Sequence, residues 1–161
     1  APLHANQPPY NLFEREMGDD VLPYCDRNGI GTITYGALCR GMLSGRMTRD
    51  RQFGGDDLRN VDPKFQQPRF DQYLAAVAAL DEFARHRYGK DVMMLALRWL
   101  LDQPGHTVAL WGARRPDQLD PVNGIDGWRL DGEAMTEIDR IIDTHVTDPV
   151  GPEFMAPPSR T

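Results

Sequence analysis

GTITYGAL, residues 31–38, is the stretch on which the fold turns. Thr32, Ile33, Thr34 and Tyr35 form an unbroken run of β-branched and aromatic residues, which fits a pleated, half-buried surface and reads as a strand. Upstream, ANQPPYNL (5–12) reads as a weaker strand, because Pro8 and Pro9 each withdraw an N–H donor from a ladder. Between the two, Glu14–Asn28 places Val21, Leu22 and Cys25 on one side and predicts a helix that Pro23 interrupts and Gly29 and Gly31 close. Downstream, TVALW (107–111) is a continuous apolar run, as expected of a strand buried on both faces of a parallel sheet.

Helices fill the intervals. Phe70, Tyr73, Leu74, Val77, Leu80 and Ala84 recur at three- and four-residue spacing, and Gly89 ends the run. A second helix is predicted over Asp91–Gln103, with Val92, Leu95, Ala96, Trp99 and Leu100 inward and Pro104-Gly105 as its stop. Pro116 fits the first turn of a third. The last covers Asp131–His145, with Leu130 stapled to Met135 and a stripe of Ile138, Ile141 and Ile142. Gly36–Gln67 is polar and little periodic, a long loop in which CRGMLSGRM carries one helical turn; loops of this length are usually functional. Residues 146–161 form an extended, Pro-rich tail. The order of elements predicts a parallel α/β protein.

Composition narrows the classes of function. At 161 residues the chain suits a single domain and is shorter than the roughly 250 of a complete (β/α)8 barrel. No apolar run approaches the roughly 20 residues that span a bilayer, and APLHANQPP lacks the features of a signal peptide, so no membrane partner is expected. With 24 acidic against 18 basic residues, general charge does not favour a nucleic acid. Cys25 and Cys39 have no zinc or C-x-x-C spacing and the four histidines are scattered, so no metal is expected and a reduced, cytoplasmic setting is the simplest reading. Ala1 stands where an initiator Met would, which fits a chain that begins mid-protein.

In parallel sheets ligands bind beyond the carboxyl ends of the strands. There this sequence places Tyr35, Gly36, Ala37, Leu38, Arg40, Gly41, Gly45 and Arg46 after one strand, and Gly112, Ala113, Arg114 and Arg115 after another. Glycines let a backbone approach an anion, a helix N-terminus adds partial positive charge, and arginine forks match phosphate oxygens. Two such loops at one end of a sheet could hold the phosphates of a dinucleotide; the alternative is that the arginines are simply solvated. No acid–base set accompanies them: no tyrosine has a Lys or His partner by sequence, and Lys64 and Lys90 are the only lysines.

QPPYNLFERE, GIGTITYGALCRGMLSGRM, LALRWLLDQPG and VALWGARRPDQLDPV together resemble the C-terminal part of an aldo-keto reductase, of the kind found in bacterial enzymes and potassium-channel β-subunits. The resemblance runs from about Gln7 to about Ile142. It implies a partial domain, the C-terminal portion of a (β/α)8 TIM barrel with about strands six to eight, and an NADPH-dependent reduction of aldehydes or ketones. It further implies that Gln7 bonds the nicotinamide carboxamide, that Tyr35 stacks on the ring, and that Gly36, Ala37 and Leu38 form the turn beneath the pyrophosphate. Arg40 and Arg46 fall in the 36–67 segment that covers the cofactor, and Gly112 and Ala113 in the turn after strand eight. Arg114 takes the place of a serine beside the 2′-phosphate, and Gln118 that of an adenosine contact. Pro121 and Val122 replace the Glu-Asn that faces adenine in many relatives. The family's catalytic Asp, Tyr, Lys and His belong to strands outside this sequence, so no catalytic residue is assigned and the chain alone is expected to be inactive. The alternative is a non-catalytic module that pairs with an N-terminal half-barrel or with itself through exposed sheet edges.

Overall fold

The structure, a computed structural model, describes residues 2–154. Its centre is a three-stranded parallel sheet in the order β1 (Ala5–Asn6), β2 (Gly31–Thr34), β3 (Val108–Ala109). Ala5 pairs with Gly31 and Asn6 with Thr32, while Ile33 pairs with Val108 and Thr34 with Ala109. A bridge from Pro9 to Tyr35 prolongs the first pairing across the prolines that shorten β1. The parallel α/β expectation is met.

Among the described residues there are four α-helices, α1 (Val21–Arg27), α2 (Arg69–Tyr88), α3 (Val92–Leu101) and α4 (Gly132–His145), of which α1 packs on β2 and α3 on β3. The helix expected over 14–28 is divided into a 3-10 turn, Glu16–Gly18, and α1. Pro23 interrupts nothing, because it lies in the first turn of α1, where its missing N–H has no helical acceptor. Helix α2 ends at Gly89 in the left-handed conformation. Helices α3 and α4 start on Asp91 and Asp131, whose carboxylates accept from the Met94 and Ala134 amides. Helix α3 is apolar nearly all round and correspondingly buried, and its one charge, Arg98, pairs with Asp102 one turn later at 3.0 Å. Leu12, Leu22, Tyr73, Leu80, Leu95, Leu100 and Ile138 stand in the resulting core.

Strand β2 is held to the chain before β3 by hydroxyls. Thr32 and Thr34 are fully buried. The Thr32 hydroxyl donates to the Gly105 carbonyl at 2.7 Å and accepts from the Thr107 amide, and Thr34 Oγ1 lies 2.8 Å from His106 Nε2. Gly105, at φ +72°, is required here, because a Cβ would fall 2.7 Å from the Leu22 carbonyl oxygen.

Two expectations are corrected. The run TVALW is not buried on both faces: Val108 and Leu110 are 43% and 40% exposed, because no described element covers that side of β3. The helix expected from Pro116 is two short 3-10 segments, Pro116–Gln118 and Asp120–Gly124. Residues 146–150 bend past the start of α2, with the Thr147 and Asp148 amides on Gln72 and the Val150 amide on the Tyr73 hydroxyl, before a 3-10 turn at Pro152–Phe154. The rest of the 146–161 tail, from residue 155, lies outside the described residues. Among the described residues no helix is long and apolar enough to cross a membrane.

Candidate functional site

The strand register sorts the candidate residues by face. Carried between Asn6–Thr32 and Pro9–Tyr35, it sets Gln7, Ile33 and Val108 in one row and Pro9, Tyr35 and Leu110 in the next. Thr32, Thr34 and Ala109 occupy the alternate positions, against the helices. Gln7 and Tyr35 therefore share the open face of the sheet, Gln7 exposed and Tyr35 half-buried. Beyond the carboxyl ends of β2 and β3 lie the two glycine- and arginine-bearing segments.

The segment after β2 is a built structure with 3-10 turns at Cys39–Ser44, Leu58–Asn60 and Pro63–Phe65. Its first turn is sharp: Gly36 has φ +74°, and Cys39 and Arg40 both have positive φ, +46° and +51°. Neither has glycine's freedom, so surrounding contacts must hold them there. The Cys39 amide donates to the Gly36 carbonyl at 2.7 Å, and the Gly41 and Leu43 amides both donate to Leu38. Ala37 and Cys39 are buried, and burial pushes the Cys39 thiol far above its ordinary value.

Beneath this turn lies a cluster of buried charges that sequence reasoning missed. Lys64 Nζ sits 2.9 Å from Glu14 Oε1 and 3.3 Å from Asp62 Oδ1. Arg40 Nη1 sits 2.7 Å from Asp62 Oδ2 and 3.3 Å from Glu14 Oε1. The second oxygen of Glu14 accepts from Asn11 Nδ2 at 2.6 Å, and the same amide donates to the Gly36 carbonyl. Burial alone would raise the Glu14 carboxyl, but the Lys64 ammonium, the Asn11 hydrogen bond and the Arg40 charge outweigh it and hold it below its ordinary range. Burial likewise works against the Lys64 ammonium, and Glu14 and Asp62 overcome it. The Phe154 ring lies 5.7 Å from the Arg40 guanidinium carbon and 5.6 Å from Lys64 Nζ. The one sequence signal was Asp62-Pro63, a cap and first-turn proline; nothing tied it to Glu14.

Arg40 thus turns its guanidinium to two carboxylates beneath the turn, whereas Arg46 is exposed. Gly112, Ala113, Arg114 and Arg115 are all exposed. The side-chain oxygen of Gln118 accepts from the Arg114 amide at 2.6 Å and the Arg115 amide at 3.1 Å. With no α-helix starting at Pro116, the helix N-terminus expected to aid an anion there is absent. The Arg59 fork holds the Asp57 carboxyl below its ordinary range with help from the Arg114 charge, and Arg115 does the same for Asp117 with help from Arg46. A separate cleft of about 430 Å³ lies elsewhere, where Arg15 stacks over Trp99 at 4.7 Å and pairs with Asp139; it contains none of the candidate residues.

Comparison with known proteins supplies the context. Residues 1–143 match the sequence pattern described as the aldo/keto reductase family. The chain is 60% identical over 160 residues to the aldo-keto reductase YhdN of Bacillus subtilis, an alignment covering 99% of this chain and 48% of that protein. It is 30% identical to the L-glyceraldehyde 3-phosphate reductase of Escherichia coli, over 91% of this chain and 42% of that one. It superimposes on the structure of glycerol dehydrogenase AKR11B4 from Gluconobacter oxydans with a TM-score of 0.86 and 46% identity, covering 100% of this chain and 47% of the other. An aldo/keto reductase from Klebsiella pneumoniae, solved with NADP and acetate, shares the fold at a TM-score of 0.58 and 23% identity. The chain spans about half the length of the curated relatives it matches.

Proposed function

The chain belongs to the aldo/keto reductase family, and on that premise we propose that it is the NADP(H)-binding C-terminal part of a cytoplasmic oxidoreductase that reduces small aldehydes or ketones. Its strands β1 to β3 are then barrel strands six to eight, and the 36–67 segment covers the cofactor. The observation that carries the reading is the shared open face of Gln7 and Tyr35, flanked beyond the strand ends by two arginine-bearing segments.

When bound, the nicotinamide supplies the hydride for reduction of a carbonyl carbon. Gln7 holds its carboxamide through the side-chain amide, and Tyr35 offers a flat ring to stack on. Gly36, Ala37 and Leu38 form the turn beneath the pyrophosphate, and Arg46 and Arg114 supply forks for phosphate oxygens. Gly112 and Ala113 leave room beside the backbone, and Gln118 serves the adenosine end. No side chain of this chain is assigned the proton transfer. Titrating NADPH while following its fluorescence tests the reading: binding is expected, and Arg114→Ala should weaken NADPH about tenfold more than NADH. Equal loss for both nucleotides would remove Arg114 from the 2′-phosphate. Turnover of a carbonyl substrate by the 161-residue chain alone would overturn the division of labour.

The exposed Val108 and Leu110 on an uncovered sheet face favour a second reading, in which the chain pairs with an N-terminal half-barrel or with itself. Light scattering decides this: a folded monomer in solution argues against dependence on a complement.

A further inference from the structure

We propose that Glu14, Asp62 and Lys64, bridged by Arg40, form a clasp that holds the Cys39–Arg40 turn in its nucleotide-receiving shape before any nucleotide binds. The proposal rests on the cofactor reading only for what the turn receives. Arg40 is then a positioning residue for the covering segment rather than a phosphate ligand.

The clasp joins three stretches of chain that are distant in sequence, two of them already neighbours through the Pro9–Tyr35 bridge. Asn11 and Glu14 follow β1, Gly36 and Arg40 begin the covering segment, and Asp62 and Lys64 lie near its end. It is built of expensive parts. The side chains of Asp62 and Lys64 are 0% and 2% exposed, and an ionised group so placed persists only with its partners present. Two acids face two bases, so removing any one leaves a charge without compensation.

The strained residues lie where the clasp grips. Cys39 and Arg40 occupy conformations that ordinary side chains avoid, and such strain survives only where the surroundings over-determine it. Here the Arg40 side chain is gripped from below, while Arg59 Nη1 reaches the Arg40 carbonyl at 3.4 Å and the Ser44 hydroxyl donates to the Gly41 carbonyl at 2.6 Å. Asn11 adds its hydrogen bond to the Gly36 carbonyl at the root of the turn. Ala37, Met42 and Leu43 stay packed in the core, so losing the clasp frees the Cys39–Arg40 turn between them, which should relax into open conformations. A nucleotide would then bind only the fraction still closed, and its apparent affinity would fall by that fraction.

The test is hydrogen exchange on the full polypeptide that carries this chain, without nucleotide, for wild type, Glu14→Gln and Arg40→Lys. Peptides covering residues 36–47 should exchange at least about tenfold faster in Glu14→Gln, while those of α2 keep their protection; saturating NADPH should restore protection, with an apparent Kd weakened only by the fraction of turns left closed. Arg40→Lys, which keeps the charge but loses the fork, should show the same change to a lesser degree. If Glu14→Gln also exposes α2, Arg40→Lys decides alone. Unchanged exchange at 36–47 in Arg40→Lys together with weakened NADPH would make Arg40 a direct ligand and overturn the clasp. Failure of wild type to bind NADPH would sink the cofactor reading, and the exchange result would still decide the clasp.

Discussion

Two segments leave the same end of the sheet, each rich in glycine and arginine, and they are held in opposite ways. The one after β2 is anchored from beneath by buried charges that reach back to the chain after β1. The one after β3 is exposed and satisfies itself, through Arg115–Asp117 and the Gln118 side chain on its own backbone. Similar composition therefore yields a fixed wall on one side and an adjustable rim on the other. A dinucleotide lying between them would meet a pre-shaped surface at one segment and would have to order side chains at the other.

The sharpest way to break this contrast is to remove a buried carboxylate. Asp62→Ala strips Lys64 and Arg40 of a partner and removes the acceptor of the Lys64 amide at 3.0 Å. Breaking a buried ion pair from one side costs about 3–5 kcal/mol, so thermal unfolding should shift down by about 10 °C. Asp117→Ala, its counterpart on the exposed segment, should leave the midpoint unchanged. Equal shifts for the two would mean that the segments are held alike.

Acid should separate them next. Glu14 is held below its ordinary 4.5 in the folded chain, so its contribution is fully present above that value and is lost as pH falls through the folded one. Lys64 is held above its ordinary 10.5, so its contribution is full below that value and is lost as pH rises through the folded one. Exchange protection of 36–67 should therefore fall on acidification below about pH 4.5, equally at low and at high salt, and Glu14→Gln should flatten that response. Asp117 is also held low, by Arg115, but on an exposed pair, so any acid response at 112–118 should fade as salt rises. A response at 36–67 that salt abolishes would argue against a buried origin.

Much of this was legible in the residues, and the parts that were not share a cause. Helices α2, α3 and α4 announce themselves through apolar spacing, and Asp91, Asp131 and Gly89 act as the caps they look like. Strand β2 and the parallel order follow equally well. TVALW departs from its expected burial because apolar character states a demand for burial without saying what meets it, and here no described element does. Pro116 fits the start of a helix, but Pro121 soon follows and only 3-10 turns form. The candidate residues after the strands follow from topology and resemblance, whereas the cluster of Glu14, Arg40, Asp62 and Lys64 is invisible in the sequence. Glu14 and Asp62 lie 26 and 22 residues from Arg40, in stretches without periodicity, and their meeting is a property of the folded chain alone.

The smallest effect sharpens the comparison from the exposed side. Gln118 ties the 112–118 segment to itself through the backbone, accepting from two successive amides. Gln118→Ala releases both donors to water, which replaces most of what they lose, so the net cost is about 1 kcal/mol. Because the segment is exposed and packs little, that cost should be paid locally: the Arg114 and Arg115 amides should exchange about fivefold faster while the unfolding midpoint stays put. A drop in the midpoint instead would mean that this segment is coupled to the core as tightly as its neighbour after β2. The rim would then be a second wall, and nucleotide binding would have to proceed without the freedom assigned to it here.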